Sequence, residues 1–188
     1  MDFGWLDVPV EEAARALLGC ELVRTIDGQE LRVRIVETEA YDQNDPASHT
    51  FRGQTPRNSA MFMEAGHAYV YRSMGIHHCL NMVAGPAGFG EGVLIRAVEP
   101  LAGEDFMVAA RGGRTGPLVT NGPGKLCQAL AVDLSLTGHD VSGPPLQLMR
   151  GSALSDSEIV TTTRIGISKA ADWPRRFYER RSRYVSKR

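Results

Sequence analysis

The segment LRVRIVETEAY, residues 31–41, decides the fold of this protein. Apolar and polar residues alternate along it, and this period of two is typical of a β-strand with one buried face. The alternation predicts one shared face for Leu31, Val33, Ile35, Glu37, Glu39 and Tyr41. An apolar stripe would thus end in two carboxylates, which must lie at the rim of a cleft or be buried with partners, because an unpaired buried charge is costly.

Glu37 and Glu39 allow two interpretations. A carboxylate at a cleft rim or in a buried site can serve as a general base. Alternatively, both glutamates form structural ion pairs with Arg32, Arg34 or another basic group, and the spacing alone favours this second interpretation. The strand pattern by itself therefore identifies no catalytic residue.

Other secondary-structure elements are predicted on both sides of this strand. A helix over residues 10–18, with Asp7 as its cap, comes first, and a strand over residues 21–26 then forms a hairpin through the turn Asp27-Gly28. Further strands are expected at residues 68–72, 76–84, 92–99 and 159–167, and a second helix at residues 125–132. The short connections between the strands favour an antiparallel sheet.

Length, composition and charge limit the class of protein. A chain of 188 residues, 43% of them hydrophobic, is large enough for one domain with its own core. The net charge of -1 argues against a histone-like or polybasic protein. Residues 175–188 nevertheless carry seven basic residues against one acidic residue, so this basic tail is either a solvated terminus or a phosphate-binding arm.

The cysteines and the N-terminus indicate a cytoplasmic protein. Cys20, Cys79 and Cys127 are too scattered for a disulfide framework, and no C-x-x-C pair or H-E-x-x-H motif suggests a metal site. The N-terminal residues lack the pattern of a signal peptide, and no apolar run approaches the length of a membrane span. We therefore expect no metal and no membrane association.

Aromatic residues and a long polar loop are candidates for a binding pocket. Residues 42–60, the polar loop, show neither helical nor strand period, and ordered loops of this length are often functional. Tyr69 and Tyr71 share a predicted strand face, and with Tyr41 they can stack on a flat base, although the pattern by itself favours core packing. His49 in the polar loop is either a surface residue or a site residue.

Basic residues in loops are candidates for phosphate contacts. Arg52 and Arg57 lie in the polar loop. Gly122-Pro-Gly-Lys125 precedes a predicted helix, where free backbone N–H groups favour an anion, but an ordinary capping turn accounts for it as well. Its spacing is not that of a nucleotide-binding phosphate loop.

Five blocks of the sequence, in this order, resemble the alkyladenine (3-methyladenine) DNA glycosylase family: LRVRIVETEAY, SHTFRGQTPRNSAMFM, AYVYRSMGIHHCLNMV, GVLIRAVEPLAG and NGPGKLCQALAVD. The resemblance runs from about residue 17 to residue 133, with shorter matching stretches as far as residue 184. It implies a fold of the α+β class, a single mixed domain over residues 1–188 with a curved, mainly antiparallel sheet and flanking helices.

The resemblance also implies a function. The expected protein is a monofunctional DNA glycosylase that flips a damaged purine out of the duplex and hydrolyses its N-glycosidic bond in base excision repair. Expected substrates are 3-methyladenine, 7-methylguanine, hypoxanthine and ethenoadenine in double-stranded DNA, with no cofactor. We expect a monomer in the cytoplasm of a bacterial-type cell, associated with the nucleoid when bound to DNA. Because no lysine stands in the pocket motifs, we expect hydrolysis without Schiff-base strand cleavage.

Individual roles follow from the motifs of the resembled family. Glu39 matches the glutamate that activates water, which leaves a structural role for Glu37, and Arg96 matches the arginine that helps to hold the nucleotide and the water. The matches to the base pocket are Tyr41, His49, Tyr71 and Asn81, the last discouraging the amino group of guanine. The expected contacts with the DNA backbone are Arg52, Arg57 and Lys125.

Met74 departs from the family pattern. Vertebrate relatives place a tyrosine at this hairpin tip as the wedge that enters the minor groove, whereas the present sequence reads Arg72-Ser73-Met74-Gly75. An apolar methionine can also separate base steps, so Met74 is the expected wedge.

Two other functions remain open on the sequence alone. A non-catalytic nucleic-acid-binding module would keep all its functions in a Glu39→Gln variant. A hydrolase of a free nucleoside would have no use for Met74 at an exposed tip, and steep salt dependence of duplex binding would contradict it.

Overall fold

The computed structural model describes residues 2–187. In this range the α-helices are α1 (Val10–Ala16), α2 (Glu104–Ala110) and α3 (Pro123–Ala129). The strands are β1 (Glu21–Ile26), β2 (Gln29–Tyr41), β3 (Ala68–Ser73), β4 (His77–Val83), β5 (Gly92–Ala102), β6 (Leu146–Met149), β7 (Ile159–Thr162) and β8 (Arg176–Glu179). Short 3₁₀ helices lie at Gly4–Leu6, Ser59–Phe62, Gly116–Val119 and Leu134–Leu136.

The strands form one antiparallel sheet around β2. The main path of neighbouring strands is β3-β4-β5-β2-β1-β6, and β8 lies beside β2 and also pairs with β7. β5 follows one edge of β2, whereas β1 pairs with the first half of the other edge and β8 with part of the second half. The sheet curls into a half-barrel with helices packed on it, so the predicted α+β class is confirmed.

The main hydrophobic core lies between the sheet and the helices. Val10 and Ala13 of α1 and Leu126 of α3 are fully buried in it, and α1 contacts β2 while α3 contacts β4. Burial of a leucine side chain contributes about 1.5–3 kcal/mol. A second, smaller cluster contains Tyr69 and Val83, with Tyr71 packed against it. The aromatic residues of the second cluster thus lie beside the polar loop, separate from the main core.

β2 changes the face that it turns to the core halfway along its length. The core side chains of its first half are Leu31, Val33 and Ile35, as predicted. Beyond them the core side chains are Ala40 and Thr38, whose hydroxyl donates to the carbonyl oxygen of Ala14 at 2.8 Å. The alternation is therefore displaced by one residue, and Glu37 and Glu39 lie on the opposite face. The prediction that the two glutamates extend the apolar stripe is wrong.

Paired β-bulges cause this change of face. The register of β2 against β5 shifts between Ile35 and Glu37, which leaves Val36 without a partner. It shifts back before Thr38, which leaves Arg96 of β5 without one. An extra residue inverts the side-chain alternation, and bulges often re-aim side chains beside active sites. Here the bulges bring both glutamates of β2 and Arg96 together on the face away from the main core.

Three elements differ from their predicted form. The second helix, predicted at residues 125–132, spans Pro123–Ala129 as α3. Pro9, rather than Asp7, occupies the N-cap position of α1, so the prediction that Asp7 caps this helix is wrong. The strand expected over residues 159–167 ends at Thr162. The chain leaves the sheet there because Arg164 is drawn into a buried ion pair with the polar loop.

Candidate active site

A pocket with a volume of about 270 Å³ lies between the end of β2, the polar loop and the hairpin of β3 and β4. Six residues that the sequence predicted for the site line it: Tyr41, His49, Arg57, Tyr71, Met74 and Asn81. Gly166 and Ile167, which follow β7, also line it. The tertiary structure thus brings together residues from four separate segments of the chain.

His49 and two tyrosines form the aromatic wall of the pocket. The ring of His49 meets the ring of Tyr71 edge-on, with 4.4 Å between centroids and 79° between planes. Tyr69 stacks on Tyr71 at 5.8 Å, and its hydroxyl oxygen lies 3.1 Å from Nδ1 of His49. Burial lowers the pKa of His49, and the charge of Arg57 lowers it further, so the imidazole is neutral at physiological pH. The wall therefore presents uncharged rings to a flat ligand.

Tyr69 is a pocket residue that the resemblance did not assign. Its alternation with Tyr71 along β3 was the signal in the sequence, and the shared face is confirmed. Asn81 of β4 pairs with Tyr69 and donates from Nδ2 to its carbonyl oxygen at 3.1 Å. This hydrogen bond fixes the orientation of the Asn81 amide at the pocket.

The polar loop is held in place largely by one buried amide. Nδ2 of Asn58 donates to the carbonyl oxygens of His49 at 2.8 Å and Gly53 at 3.1 Å. Its Oδ1 accepts from the backbone N–H of Thr55 at 2.6 Å. Because both ends of the amide are satisfied within the loop, Asn58 fixes the position of His49 in the aromatic wall.

Glu39 lies directly behind the pocket wall. Its side chain has no exposed surface, and it accepts hydrogen bonds from the hydroxyl of Tyr41 at Oε2 and the N–H of Ile165 at Oε1, both at 2.8 Å. Nη1 of Arg96 lies 3.2 Å from Oε1. A carboxylate has about four acceptor positions, and Oε2 accepts only from Tyr41, so one position on Oε2 has no protein donor. Burial and then the charge of Glu39 raise the pKa of Tyr41, which keeps its phenol a proton donor.

Glu37 is surrounded by donors on both oxygens. Arg176 donates to Oε1 at 2.8 Å, the hydroxyl of Ser186 donates to Oε1 at 2.9 Å, and the N–H of Ser186 donates to Oε2 at 2.7 Å. Nε of Arg96 lies 3.4 Å from Oε1, an ion-pair distance that lacks hydrogen-bond alignment. The partners of Glu37 are therefore arginines of β5 and β8. Arg34, offered as a partner from the sequence, pairs instead with two other glutamates.

Arg164 is a supporting residue that the sequence did not reveal. Its guanidinium forms a two-pronged, fully buried ion pair with Asp45 and donates to the carbonyl oxygen of Ala40 at 3.0 Å. It also lies over the ring of Tyr41, 4.5 Å from the centroid. The next residue, Ile165, is the backbone donor to Glu39. Arg164 thus links the polar loop to the buried carboxylate of Glu39. No local pattern predicts its pairing with Asp45, which is so distant in sequence.

Met74 stands at the tip of the hairpin formed by β3 and β4. It is 88% exposed, and Met74 and Gly75 both have positive φ, at 51° and 71°. The N–H of Ile76 donates to the carbonyl oxygen of Ser73 at 3.0 Å and closes the turn between them. A large apolar side chain is therefore held in solvent at the mouth of the pocket.

The three predicted backbone contacts lie in different surroundings. Arg57 is exposed at the pocket, and Arg52 is exposed elsewhere on the polar loop. Lys125 donates to Oδ1 of Asn121 at 2.7 Å and lines a second cleft with His77. Lys125 lies in the first turn of α3, which begins at Pro123 and has only seven residues. The structure thus brings Arg57, but not Arg52 or Lys125, to the pocket.

The basic tail is not a free arm at its beginning. Arg175 lies 2.7 Å from carboxylate oxygens of both Glu11 and Asp42, and Arg176 is buried against Glu37. Both interpretations of the tail, solvated terminus and phosphate-binding arm, are therefore wrong for these two arginines. Arg188, the last residue of the tail, lies outside the described residues.

Two further findings concern the described residues as a whole. Within residues 2–187, no group of three or more His, Cys, Asp or Glu side chains is arranged to hold a metal ion. Over the same range, every helix is too short or too polar to cross a membrane.

Comparison with known proteins identifies the family. A family model described as methylpurine-DNA glycosylase matches residues 4–183. A protein of Carboxydothermus hydrogenoformans is 50% identical, covering 93% of this chain and 92% of its own length. Relatives from Methanoculleus marisnigri and Nitrosospira multiformis are 50% and 51% identical, covering 93% and 88% of this chain and 92% and 83% of their own lengths. All three are named "Putative 3-methyladenine DNA glycosylase". The chain therefore belongs to the methylpurine-DNA glycosylase family, and it is a DNA-repair hydrolase for alkylated bases.

Proposed function

We propose that this protein flips damaged purines out of double-stranded DNA and hydrolyses their N-glycosidic bonds as a monofunctional glycosylase. The proposed substrates are 3-methyladenine, 7-methylguanine, hypoxanthine and ethenoadenine. The proposal is carried by Glu39, a carboxylate with one open acceptor position directly behind an aromatic pocket. Residues 1–188 form one domain in this proposal, acting as a monomer without a cofactor on nucleoid DNA.

The pocket selects for damage through its rings. A flipped purine stacks against Tyr41, Tyr71 and the neutral His49, and an alkylated purine carries a positive charge that aromatic faces attract. Asn81, fixed by its bond to the backbone of Tyr69, stands where the exocyclic amino group of a normal guanine needs space. Broad acceptance of flat, electron-poor rings follows from stacking, because stacking does not depend on one hydrogen-bond pattern.

The chemistry is water attack on C1′ assisted by Glu39. The water occupies the open position on Oε2, and the carboxylate removes its proton while stabilising the positive charge that develops on the sugar. Glu39 has no exposed surface, so the water enters from the pocket side, past the hydroxyl of Tyr41. Arg96 lies at ion-pair distance from the other oxygen and balances the charge of the carboxylate. The bond between C1′ and the base nitrogen breaks as the water oxygen bonds to C1′. An alkylated purine leaves as a neutral base, and hypoxanthine or ethenoadenine takes up a proton from solvent as it leaves. With no lysine in the pocket, the abasic site forms without a covalent intermediate between enzyme and DNA.

Contacts outside the pocket hold the DNA. Met74 enters the minor groove and fills the space left by the flipped nucleotide. Arg52, Arg57 and Lys125 bind phosphates of the DNA backbone. Such contacts make duplex binding salt-dependent, which a hydrolase of free nucleosides would not show.

The test uses duplexes that contain each of the four lesions. The expected result is release of free base from at least one of them, with abasic sites left intact and no covalent adduct trapped by borohydride. The Glu39→Gln variant should keep binding the lesion duplex while the excision rate falls by about 10²–10⁴-fold. Glu21→Gln, on the neighbouring strand β1, is the matched control and should leave the rate unchanged. No release from any lesion by the wild-type protein would refute the proposed function, and full activity of Glu39→Gln would refute the role of Glu39.

A further inference from the structure

Glu37 takes no part in the proposed chemistry, although its environment is the most completely built in the molecule. It is fully buried, its hydrogen-bond donors come from β8 and the end of the described chain, and Arg96 of β5 lies at ion-pair distance. The backbone and the hydroxyl of Ser186 donate to different oxygens of Glu37. The carbonyl oxygen of Lys187 accepts from Nη1 of Arg176 at 2.7 Å, so the clasp, residues 186 and 187, closes around this carboxylate.

We propose that Glu37 is a positioning residue for the glycosylase reaction, and that the clasp holds it in place. Glu37 acts through Arg96, whose Nε lies 3.4 Å from Glu37 while Nη1 lies 3.2 Å from Glu39. The two carboxylates thus share one guanidinium. This inference rests on the proposed function, because it concerns the rate at which Glu39 activates water.

Because Arg96 contacts both carboxylates, Glu37 determines which acceptor position of Glu39 stays open. A guanidinium prefers to bind a carboxylate with two parallel hydrogen bonds, which occupy both of its oxygens. Glu37 holds Nε of Arg96 to one side, so Arg96 reaches Glu39 only at Oε1. Oε2 is left for the hydroxyl of Tyr41 and one water. Without the charge of Glu37, Arg96 would turn onto both oxygens of Glu39 and occupy the position that the water needs.

The charge balance of the cluster supports this division of roles. Two buried carboxylates, Glu37 and Glu39, face two nearly buried guanidiniums, Arg96 and Arg176. Glu37 accepts three hydrogen bonds from protein donors, whereas Glu39 accepts two. The additional bonds from Arg176 and Ser186 hold Glu37 stationary.

The clasp can be removed without touching the pocket or Glu39. Ser186→Pro deletes both the N–H and the hydroxyl that bind Glu37, whereas Ser186→Thr keeps both. Lys187→Ala retains the backbone carbonyl that Arg176 uses and is the matched control. Glu37→Gln removes the charge while keeping most of the side-chain volume. If Ser186→Pro or Glu37→Gln does not fold, Ser186→Ala, which loses only the hydroxyl, is used in its place to test the clasp.

The experiment compares the excision rate with DNA binding. Single-turnover excision of 7-methylguanine is measured with enzyme in excess, and Kd is measured on a duplex carrying an abasic-site analogue. Ser186→Pro and Glu37→Gln should lower the rate by about tenfold to a hundredfold, since misplacing a catalytic group by about 1 Å has an effect of that size. Kd should stay within about twofold, and Ser186→Thr should match the wild type. Combining Ser186→Pro with Glu37→Gln should add no further loss, because both act through one residue.

The outcomes separate this inference from the proposed function. If the wild type releases base while Ser186→Pro and Glu37→Gln retain its rate, the positioning role is refuted and the glycosylase function stands. Equal losses of rate and of DNA binding would also refute it, because they indicate general disorder of the site. If the wild type releases no base, both proposals fail together.

Discussion

The buried ion pair between Arg164 and Asp45 should be one of the strongest single supports of this fold. Both side chains have no exposed surface, and Arg175 lies 3.6 Å from the same carboxylate. Asp45→Asn keeps the shape of the side chain but leaves the guanidinium of Arg164 buried without a counter-charge. Breaking a buried pair in this way costs about 3–5 kcal/mol of the free energy of unfolding. For a chain of this length, that corresponds to a fall in Tm of about 6–20 °C.

Thermal and urea unfolding followed by circular dichroism measure this effect. The matched control is Asp156→Asn, which removes a carboxylate 96% exposed and paired with Arg15 at the surface. A surface pair contributes at most about 1 kcal/mol, so the control should unfold close to the wild type. A loss in Asp45→Asn no larger than that of the control would refute the argument, because it would mean that Arg164 is solvated or neutralised in another way. The folded fraction of Asp45→Asn should also excise bases more slowly, since Ile165 follows Arg164 and binds Glu39.

Three further predictions concern the wedge, a buried carboxyl and the polar loop. Met74→Ala should weaken capture of a flipped nucleotide about tenfold more than it weakens nonspecific duplex binding. Leu134 is also exposed, and Leu134→Ala should change neither. Equal losses of capture and nonspecific binding in Met74→Ala would refute the wedge role. Burial, together with nearby carboxylates, raises the pKa of Glu91 to about 7, against an ordinary value of 4.5. The folded protein therefore binds the proton of the Glu91 carboxyl more tightly than the unfolded chain does. The free energy of unfolding should fall by about 3 kcal/mol as pH rises from 4.5 to 7. Urea titrations at several pH values measure this fall, which Glu91→Gln should abolish. Asn58→Ala should lower stability by about 1–3 kcal/mol and raise the exchange rate of polar-loop amides, because it leaves the carbonyl of His49 without its donor; an unchanged exchange rate would contradict this.

Several parts of the candidate site were predictable because they depend on local sequence. The alternation of Tyr69 and Tyr71 places both on one face of β3, whatever packs against them. The turn at Met74 and Gly75 is marked in the sequence by Gly75, which accepts positive φ, so its exposed tip follows from a few neighbouring positions. His49 was predicted only through the resemblance, because nothing in the polar loop itself distinguishes a pocket histidine from a surface one.

The face of Glu37 and Glu39 was beyond local reasoning. A period of two assumes an unbroken strand, and nothing in the letters of residues 31–41 marks Val36 as a bulge. The bulge exists because β2 pairs with β5, in which Arg96 is displaced as well. One unpaired residue inverts every side chain that follows, so a pattern that describes the first half of β2 correctly assigns the second half to the wrong face.

The sequence by itself determined the first five strands, the aromatic face, the exposed tip and, through five ordered motifs, the family. These features depend on neighbours along the chain, whose spacing is the same in any fold that uses them. Only the tertiary structure decided that Glu37 accepts three hydrogen bonds while Glu39 accepts two and contacts Tyr41 of the pocket wall. That difference depends on Ser186 and Arg164, which reach the glutamates of β2 and Asp45 across more than a hundred residues. Desolvation and packing in three dimensions determine which group pairs with a buried charge, and no local sequence pattern predicts that pairing.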